Sequence, residues 1–559
     1  MPLNTAATSI REARDLLLGL RGEGDRARAE FEWPRISGRF NWAIDWFDAM
    51  ARGNDSPALW LRDLEGVDHV FSFAQMADRS DRLATWLAAQ GVGKGDAVMV
   101  VLGNQVELWD AMLAVMKLGA IVLPTAQALQ SFDLELRVPR AGVTAVIANP
   151  EDEAKFGDIS NIVTVTTGAA HGRWRAMADA QLLPAEPHEV VTDAGDPCLY
   201  YFTSGTTKDP KLVVHTHLSY PVGHLSTMYF IGVRPGDVHL NISSPGWGKH
   251  AWSSFFSPWL AGATVFSYAY DRFDASELLR TLEECQVTTL CGPPTVWRMM
   301  IKADLGERPS ALREVVGAGE PLNPEVISAV ERAWGLTIRD GYGQTETTCT
   351  VGNAPGEQVR PGSMGKPMPG VRLEIVDPDT GEESSTGEIT LPLEPWPFNL
   401  TPGYLDGSPT AQADGRYHSG DLVTVSDDGY LTYVGRTDDV FKASDYKISP
   451  FELESVLIEH PAVMEAAIVP APDPLRLAVP KAYIALAPGF EPTEETAVSI
   501  LRHAKENLAP YLRVRRVEFA ELPKTISGKV RRVVLRAREH DPAVEVNDFR
   551  YENYPELRG

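Results

Sequence analysis

Residues 203–211 read TSGTTKDPK and bring small hydroxyl side chains, a glycine and two lysines into nine positions. Glycine lets the backbone approach a ligand closely, hydroxyl groups donate hydrogen bonds to phosphate oxygens, and Lys211 adds a cation. The segment is not a Walker A loop, because G-x-x-x-x-G-K-[ST] is not matched. A Ser/Thr/Gly turn after a strand is more often an ordinary loop, so further motifs have to support phosphate binding.

Five further short motifs follow this loop in order along the chain. They are GAGEPL (317–322), DGYGQTET (340–347), YHSGDL (417–422), GRTDD (435–439) and PKTISGK (523–529). Together with the loop they resemble the adenylate-forming superfamily of acyl-CoA synthetases, luciferases and peptide-synthetase adenylation domains. The resemblance spans nearly the whole chain, and six motifs in order are far more specific than any one of them.

Four longer segments are most similar to the medium-chain acyl-CoA synthetase branch of that superfamily. They are FNWAIDWFD (40–48), SPGWGKHAWSSFFSPWLAGATVF (244–266), CGPPTVWRM (291–299) and RPGSMGKPMPG (360–370). The resemblance implies a large N-terminal domain, residues 1–436, of layered sheets and helices, and a smaller mobile α+β lid domain, residues 437–559. It also implies AMP-forming activation of a carboxylic acid by ATP with Mg²⁺, followed by transfer of the acyl group to coenzyme A.

The elements that must position these motifs alternate between strand and helix. Apolar residues recur at helical spacing from Met76 to Leu87, and AVMVVL (97–102) reads as a short buried strand. The same alternation continues through AVIANP, CLYYFTSG, DVHLNIS, ATVFSYA and VTTLCGPP. This pattern predicts an α/β fold of parallel sheets covered by helices.

The pattern changes near Gly435. The following segment reads as hairpin, helix, strand, turn and strand, which predicts a compact α+β domain beginning near Asp438. The tail DPAVEVNDFRYENYPELRG (541–559) has no clear periodicity, and it is predicted to be an extended arm or a disordered end.

The chemistry implied by the resemblance has a clear physical requirement. A carboxylate is a poor acyl donor, and attack on the α-phosphate of ATP provides AMP as the leaving group. Because one anion must approach another, magnesium and fixed cations are needed. The resemblance implies that Glu346 holds Mg²⁺, that Thr345 contacts the α-phosphate, and that Lys529 reaches the α-phosphate and the acyl carboxylate. Without its motif, Lys529 would read as a solvated lysine in a basic run.

The resemblance also implies a set of nucleotide-binding residues. Tyr342 would lie against the adenine, and Asp421 would accept hydrogen bonds from the ribose hydroxyls with Arg436 beside it. An aspartate before an apolar run is otherwise usually a turn or cap residue. Gly319, Glu320 and Pro321 would line the adenine side. The remaining nucleotide candidates are Thr203, Ser204, Gly205, Thr206, Thr207, Lys211, Asp340 and Gly341.

The acyl-binding candidates are Trp247, in the position of an aromatic gate, with Trp252, Gly317 and Gly343. Further aromatic candidates nearby are Trp259, Phe255 and Phe256, although an aromatic cluster is core by default. Relatives that activate amino acids carry an aspartate in this region, to pair with the substrate amine. Lys249 occupies the matching position here, which argues against an α-amino acid substrate.

Two positions depart from the family pattern. Lys208 replaces a glycine, and if the backbone there needs a positive φ it costs on the order of 1 kcal/mol. Its side chain adds bulk where the pyrophosphate belongs, while its charge attracts the same group. In the coenzyme A turn formed by Ser444, Asp445 and Tyr446, Asp445 replaces a glycine. That carboxylate either hinders pantetheine, marks another acceptor, or is tolerated by a shifted turn. Asp438 is the predicted hinge.

These observations favour an AMP-forming ligase that joins a hydrophobic aliphatic or aryl acid to coenzyme A. One alternative is a half-reaction enzyme of the same fold, which either starts from a preformed acyl-adenylate or passes the adenylate to another acceptor. Another is a non-catalytic protein that binds a nucleotide or acyl ligand. The joint presence of Glu346, Asp421 and Lys529 speaks against the last.

Composition narrows the partners and the location. The chain has 52 Lys and Arg against 76 Asp and Glu, a formal charge of -24, which disfavours nucleic acids and anionic membranes. Its four cysteines lack metal-ligand spacing and predict buried, reduced thiols. There is no apolar leader and no run long enough to span a membrane, so a cytoplasmic protein is predicted. Relatives suggest a homodimer, but the sequence itself leaves the oligomeric state open.

Overall fold

The structure is a computed structural model. It describes residues 5–557 apart from 158, 204–209, 271, 444–445, 474–476, 526–528 and 542–546. The chain divides into two compact units. Unit 1 comprises Met1–Leu373 and Leu391–Tyr417, and unit 2 comprises Glu374–Thr390 and His418–Gly559. The predicted functional boundary at residues 436 and 437 stays a prediction.

The α-helices are α1 (Thr5–Gly19), α2 (Gly24–Glu30), α3 (Ala49–Ala51), α4 (Phe73–Ala89), α5 (Val106–Lys117), α6 (Ser131–Arg140), α7 (Leu225–Ile231), α8 (Gly248–Ala251), α9 (Ser257–Ala261), α10 (Ala275–Glu284), α11 (Pro294–Lys302), α12 (Pro324–Trp334), α13 (Pro450–Ile458), α14 (Glu494–Asn507) and α15 (Arg532–Glu539). Segments of π-helix occupy Trp42–Asp48, Leu218–Val222 and Trp252–Phe256. Short 3₁₀ turns occupy Pro150–Phe156, Met177–Leu182, Pro510–Leu512, Tyr551–Asn553 and Pro555–Leu557.

The strands are β1 (Pro57–Arg62), β2 (Asp68–Ser72), β3 (Ala97–Val101), β4 (Ile121–Pro124), β5 (Val143–Ala148), β6 (Val163–Thr166), β7 (Trp174–Ala176), β8 (Pro197–Phe202), β9 (Leu212–Thr216), β10 (Val238–Asn241), β11 (Thr264–Tyr268), β12 (Thr289–Gly292), β13 (Glu314–Ala318), β14 (Arg339–Gly343), β15 (Cys349–Gly352), β16 (Ser363–Pro367), β17 (Glu374–Val376), β18 (Thr386–Pro392), β19 (Gly403–Tyr404), β20 (Arg416–Val425), β21 (Leu431–Arg436), β22 (Phe441–Ala443), β23 (Tyr446–Ile448), β24 (Val463–Asp473), β25 (Leu477–Leu486), β26 (Arg516–Phe519) and β27 (Phe549–Arg550).

Unit 1 contains two largely parallel arrays of strands. One runs in the order β16-β15-β14-β13-β12-β10-β11-β1-β2, and the other in the order β19-β9-β8-β4-β3-β5-β6-β7. Strands β10 to β14 pair in parallel, as do β3 to β8 where they neighbour one another. The predicted parallel α/β fold is confirmed. Because β13 and β14 are parallel neighbours, the loops that follow them emerge at the same edge.

Local sequence explains why these elements form where they do. Helix α4 begins after Ser72, whose hydroxyl accepts from the Gln75 backbone N–H, while the Gln75 side chain accepts from the Ser72 N–H. This capping box satisfies two N–H groups that the first turn leaves unpaired. Met76, Leu83 and Leu87 then face the core on one side of the helix.

Unit 2 follows the predicted order of hairpin, helix, strand, turn and strand. Strands β22 and β23 form the hairpin, α13 follows, and β24 and β25 pair along their length. Their sheet has the order β24-β25-β26-β27, and a second array in this unit runs β17-β18-β20-β21. Helices α13 and α14 bury Leu453, Leu457 and Leu501 against the first sheet.

The predicted extended or disordered tail is wrong for the residues that the structure describes after 546. Strand β27 pairs with β26, with Phe549 opposite Val517. Tyr551 and Leu557 are buried in the core of unit 2, 3% and 1% exposed. A two-residue strand followed by isolated apolar anchors has no periodicity for a sequence pattern to reveal, because its stability comes from burial against distant elements.

The four cysteines are free and buried, as predicted. No helix in the described part of the chain is both long enough and apolar enough to cross a membrane.

Candidate active site

The phosphate-loop candidate connects two antiparallel strands. Phe202 at the end of β8 lies opposite Leu212 at the start of β9, and the Thr203 N–H donates to the Lys211 carbonyl at 2.9 Å. The ends of the 203–211 segment are therefore held together. Nζ of Lys211 lies 4.6 Å from the ring centroid of Tyr404, a cation–π contact. Ser204, Gly205, Thr206, Thr207 and Lys208 lie outside the described residues.

The turn after β14 carries Thr345 and Glu346. The Gln344 N–H donates to the Thr347 hydroxyl at 3.0 Å, which closes the turn. The Thr401 N–H donates to the Glu346 carbonyl at 2.8 Å, and Oη of Tyr404 donates to Oε1 of Glu346 at 3.0 Å. Tyr404 thus contacts both Lys211 and Glu346, and it brings the base of the loop and the predicted magnesium ligand together.

Tyr404 is a candidate site residue that no sequence motif indicates. It lies on β19, a two-residue strand that pairs with β9, with Tyr404 opposite Val213. The chain around it, TPGYLD, has no alternation long enough to predict a strand. Only the pairing of β19 with β9 places its phenol beside the phosphate-loop candidate.

His215 is a second residue that the sequence did not reveal. Nε2 lies 2.7 Å from the Thr345 carbonyl, and Nδ1 lies 3.1 Å from the Ser219 hydroxyl. A carbonyl only accepts, so Nε2 carries the proton and Nδ1 accepts from Ser219. Burial lowers the pKa of His215 to about 4, so the ring is neutral at physiological pH. It fixes the backbone at Thr345.

The acyl candidate Gly317 and the nucleotide candidates Asp340 and Gly341 meet where β13 and β14 end. Gly317 lies beside Asp340, and Ala318 lies beside Gly341. The Asp340 carboxylate accepts from the Gly341 N–H at 2.9 Å and the Leu322 N–H at 3.4 Å. Burial raises the pKa of Asp340 to about 7, although these bonds and Lys249 oppose the shift.

The loop after β13 continues this edge. Gly319 has a φ of 105°, in the region that favours glycine, and Glu320 and Pro321 follow it half-buried. Tyr342, also half-buried, accepts at its carbonyl from the Thr350 hydroxyl at 3.3 Å. The structure therefore gathers the predicted adenine-side residues at one edge of the sheet.

Two of the acyl candidates adjoin this turn. Trp247 immediately precedes α8, and a Cβ on Gly248 would lie 3.9 Å from the Thr345 hydroxyl. Trp252 packs its ring directly over Gly343, so that any side chain at that position would overlap the indole and the Thr348 carbonyl. Gly343 is required by this close approach, and α8 starts beside the turn that carries Thr345.

The other aromatic candidates belong to the hydrophobic core. Phe255, Phe256 and Trp259 are fully buried, and Trp259 donates from Nε1 to the Ala58 carbonyl at 3.0 Å. Trp42 packs against Phe255 and Phe256. The core interpretation that the sequence left open therefore describes these three, and Trp252, 7% exposed, packs in the same core cluster.

In unit 2, Asp421 and Arg436 face one another across β20 and β21. Asp421 Oδ1 lies 3.3 Å from Arg436 Nη1 and 3.4 Å from the Tyr433 hydroxyl. The prediction that Arg436 lies beside Asp421 is confirmed. Gly420 has a φ of 73°, and a Cβ there would lie 2.6 Å from Arg436, so a glycine is needed before Asp421. Asp438, the predicted hinge, is exposed, with Oδ1 3.5 Å from Arg436 Nε.

Lys529 is joined to Thr525 by two hydrogen bonds. The Thr525 N–H donates to the Lys529 carbonyl at 2.8 Å, and the Lys529 N–H donates to the Thr525 hydroxyl at 3.1 Å. The Lys529 side chain is exposed. In the predicted coenzyme A turn, Ser444 and Asp445 lie outside the described residues, and the backbone of Tyr446 pairs with Ala443.

Comparison with known proteins gives the same assignment over nearly the whole chain. The sequence model of the AMP-binding enzyme family matches residues 46–405, and that of the AMP-binding enzyme C-terminal domain matches residues 452–529. The 4-hydroxybutyrate–CoA ligase 1 of Metallosphaera sedula is 42% identical over 90% of this chain and 91% of that protein. The mitochondrial acyl-coenzyme A synthetase ACSM3 of Rattus norvegicus is 36% identical over 89% of this chain and 90% of its own.

Solved structures agree. A Brucella canis acyl-CoA synthetase matches with a TM-score of 0.71 and 32% identity, covering 92% of this chain and 98% of the other. The anthranilate CoA ligase AuaEII in complex with anthranoyl-AMP matches with a TM-score of 0.81 and 27% identity, covering 90% and 98%. The chain therefore belongs to the AMP-binding enzyme family. The predicted acid–thiol ligase that uses ATP, Mg²⁺ and coenzyme A is confirmed, and the half-reaction alternative is not favoured.

Proposed function

We propose that the chain first joins a carboxylic acid to the α-phosphate of ATP at the turn after β14, and then transfers the acyl group to coenzyme A. The observation that carries this proposal is the contact chain from Lys211 through Tyr404 to Glu346. It places a cation and a carboxylate together at the base of a Ser/Thr/Gly loop. An anionic nucleotide tail accompanied by a divalent cation fits that pairing.

Glu346 is the residue that would hold Mg²⁺. Mg²⁺ usually takes one or two carboxylates and fills its remaining positions with substrate phosphates and water, so a single oriented carboxylate fits its needs. When bound, the ion supplies charge neutralisation at the phosphates. Tyr404 orients the carboxylate, since it donates to Oε1.

Further residues of both units are assigned to the nucleotide and the acid. The Thr345 hydroxyl is assigned to the α-phosphate, and His215 fixes its backbone through the bond to its carbonyl. Asp421, held by Arg436 and Tyr433, is assigned to the ribose hydroxyls. Trp247 and Trp252 are assigned to the acyl group.

Lys529 is assigned to the adenylation step. Its ammonium would offset charge on the α-phosphate and the attacking carboxylate, where negative charge builds up. In the second step the thiol of coenzyme A loses its proton to solvent and its sulfur bonds to the acyl carbonyl carbon. The bond between that carbon and the bridging oxygen breaks, and AMP leaves with that oxygen. The two steps need different surroundings, and Asp438 is assigned as the hinge between them.

The acid is assigned to the hydrophobic aliphatic or aryl class. The relative from Metallosphaera sedula is named for 4-hydroxybutyrate, and the neighbour AuaEII for anthranilate. We extend these classes to this chain as substrates to be tested.

The test is acid-dependent formation of acyl-CoA with release of AMP and pyrophosphate, over a panel of aliphatic and aryl acids. With at least one acid, acyl-CoA, AMP and pyrophosphate are expected to form in equal amounts. Failure of every acid in ATP–pyrophosphate exchange, together with thioester formation from synthetic acyl-adenylates, would instead support the half-reaction enzyme. In that case Lys208→Gly should restore exchange, because it removes the bulk from the loop.

A cytoplasmic location and a homodimer are also proposed. Sedimentation of the purified chain at micromolar concentration is expected to give twice the mass of one chain. A single-chain mass throughout the concentration range would contradict the dimer.

A further inference from the structure

Lys249 is the second residue of α8, directly after the glycine that adjoins Thr345. Its Cδ lies 4.0 Å from the point that a Cβ on Gly319 would occupy. The side chain therefore extends from α8 to the loop that follows β13. It links the helix of the acyl candidates to the adenine-side edge of the sheet.

Among the described residues, the ammonium group of Lys249 has no hydrogen-bond acceptor. Although the stem of the side chain is partly exposed, Nζ is shut off from solvent and has no hydrogen-bond partner among the residues that the structure describes. Burial lowers the pKa of Lys249, while Cys291, Glu320 and Asp340 oppose that shift. These groups are near enough to attract the ammonium, but none of them forms a hydrogen bond with it.

This placement is unfavourable for a lysine in the absence of a ligand. An ammonium removed from water without an acceptor carries a large desolvation penalty. The first turn of a helix adds the positive end of the helix dipole. A methionine, which has nearly the same length and no charge, would avoid both penalties. A bound molecule that supplies a hydrogen-bond acceptor would offset the desolvation penalty.

We propose that Lys249 is a specificity-determining residue, which donates a hydrogen bond to a second, non-reacting oxygen atom of the acid substrate. This inference rests on the proposed function and names a substrate class for it. Within the aliphatic and aryl acids of the proposed function, the class is those that carry a hydroxyl or keto oxygen, with Trp247 and Trp252 covering their apolar part.

The surrounding charges favour a neutral oxygen over a second carboxylate. Glu320 and Asp340 both interact electrostatically with Lys249. A dicarboxylic acid would bring another negative charge toward Glu320, and toward Asp340 whenever that carboxyl is ionised, and like charges at close range repel. A hydroxyl or keto oxygen accepts the same hydrogen bond without that repulsion.

The test uses three acids of equal chain length: the unsubstituted acid, its terminal hydroxy acid and the matching dicarboxylic acid. The kcat/KM for acyl-CoA formation is measured for wild type, Lys249→Met and Lys249→Arg. In wild type the hydroxy acid is expected to be the best of the three. Lys249→Met should lower its kcat/KM about tenfold or more, as for loss of a hydrogen bond from a charged donor. The unsubstituted acid should be unaffected or improved, and Lys249→Arg should retain part of the preference.

Three results would overturn the inference while leaving the proposed function intact. An equal loss for all acids in Lys249→Met would place the lysine on the reacting carboxylate or in a purely structural role. A wild-type preference for the unsubstituted acid would exclude a second-oxygen contact, and this comparison stands even if the variants fail to fold. A preference for the dicarboxylic acid would exclude the neutral class. No thioester from any acid would instead contradict the proposed function, and this inference with it.

Discussion

Replacing Tyr404 by phenylalanine removes one hydrogen bond from the candidate magnesium ligand and leaves the aromatic ring in place. Oη of Tyr404 donates to Glu346 Oε1 over 3.0 Å, while Lys211 Nζ lies 4.6 Å from the ring centroid. A phenylalanine keeps the cation–π contact and loses only the donor. The variant therefore isolates the orientation of the Glu346 carboxylate.

The size of the effect follows from the geometry. Hydrogen bonds to charged groups contribute about 1.5–3 kcal/mol. The separation of 3.0 Å is longer than the roughly 2.5–2.7 Å of the strongest O–H···O⁻ bonds, so the lower end is expected. About 1.5 kcal/mol corresponds to roughly a tenfold change in rate. Tyr404→Phe should therefore lower kcat/KM for ATP about tenfold in acid-dependent ATP–pyrophosphate exchange, and it should raise the Mg²⁺ concentration for half-maximal activity.

The control is thioester formation from a supplied acyl-adenylate, which needs no magnesium-bound ATP and should change less than about twofold. Tyr404→Leu, which also removes the ring, should lose more exchange activity than Tyr404→Phe, because it also removes the cation–π contact with Lys211. Unchanged exchange in Tyr404→Phe, or an equal loss in both assays, would refute the assignment of Glu346 as an oriented magnesium ligand.

Three further predictions concern single residues. Lys529→Ala should suppress ATP–pyrophosphate exchange far more than thioester formation from supplied acyl-adenylate; equal losses would contradict its role in adenylation. His215→Leu should lower ATP–pyrophosphate exchange about tenfold, since it removes the donor to the Thr345 carbonyl. His215→Gln, whose amide can donate in place of Nε2, should recover part of that loss. Equal exchange activity in the two variants would show that the hydrogen bond does not contribute. Burial lowers the pKa of His250 to about 3, so between about pH 4 and 6 its protonation favours the unfolded chain and the free energy of unfolding rises with pH. His250→Gln should reduce the slope of that rise, measured by denaturant titration, by up to about 1.4 kcal/mol per pH unit. An unaltered slope would contradict the buried, neutral ring.

Much of the fold could be predicted from the sequence because its signals are local. The capping box at Ser72 and the apolar face of α4 lie within one segment, as do the apolar runs of β3, β8 and β12. The tail could not be predicted in the same way. Tyr551 and Leu557 are anchored by contacts with elements far away in the chain, and nothing in their own spacing indicates burial.

In the candidate site, too, residues within local motifs could be predicted and residues that depend on distant contacts could not. Motifs containing Glu346, Asp421 and Arg436 could be found, and the pairing of Arg436 with Asp421 is confirmed. His215 and Tyr404 were not found, because their importance depends on hydrogen bonds to residues more than fifty positions away. The requirement for glycine at position 343 likewise becomes visible only when the Trp252 ring is placed over it.

The central claim, that the acid is activated through the α-phosphate of ATP, can be tested by labelling the acid. Both carboxylate oxygens of an accepted acid are replaced by ¹⁸O, and the AMP released during acyl-CoA formation is analysed by mass spectrometry. Attack of the carboxylate on the α-phosphate, followed by transfer of the acyl group to sulfur, predicts one ¹⁸O atom in each AMP. Unlabelled AMP, with the lost ¹⁸O recovered in inorganic phosphate or water, would contradict the acyl-adenylate route.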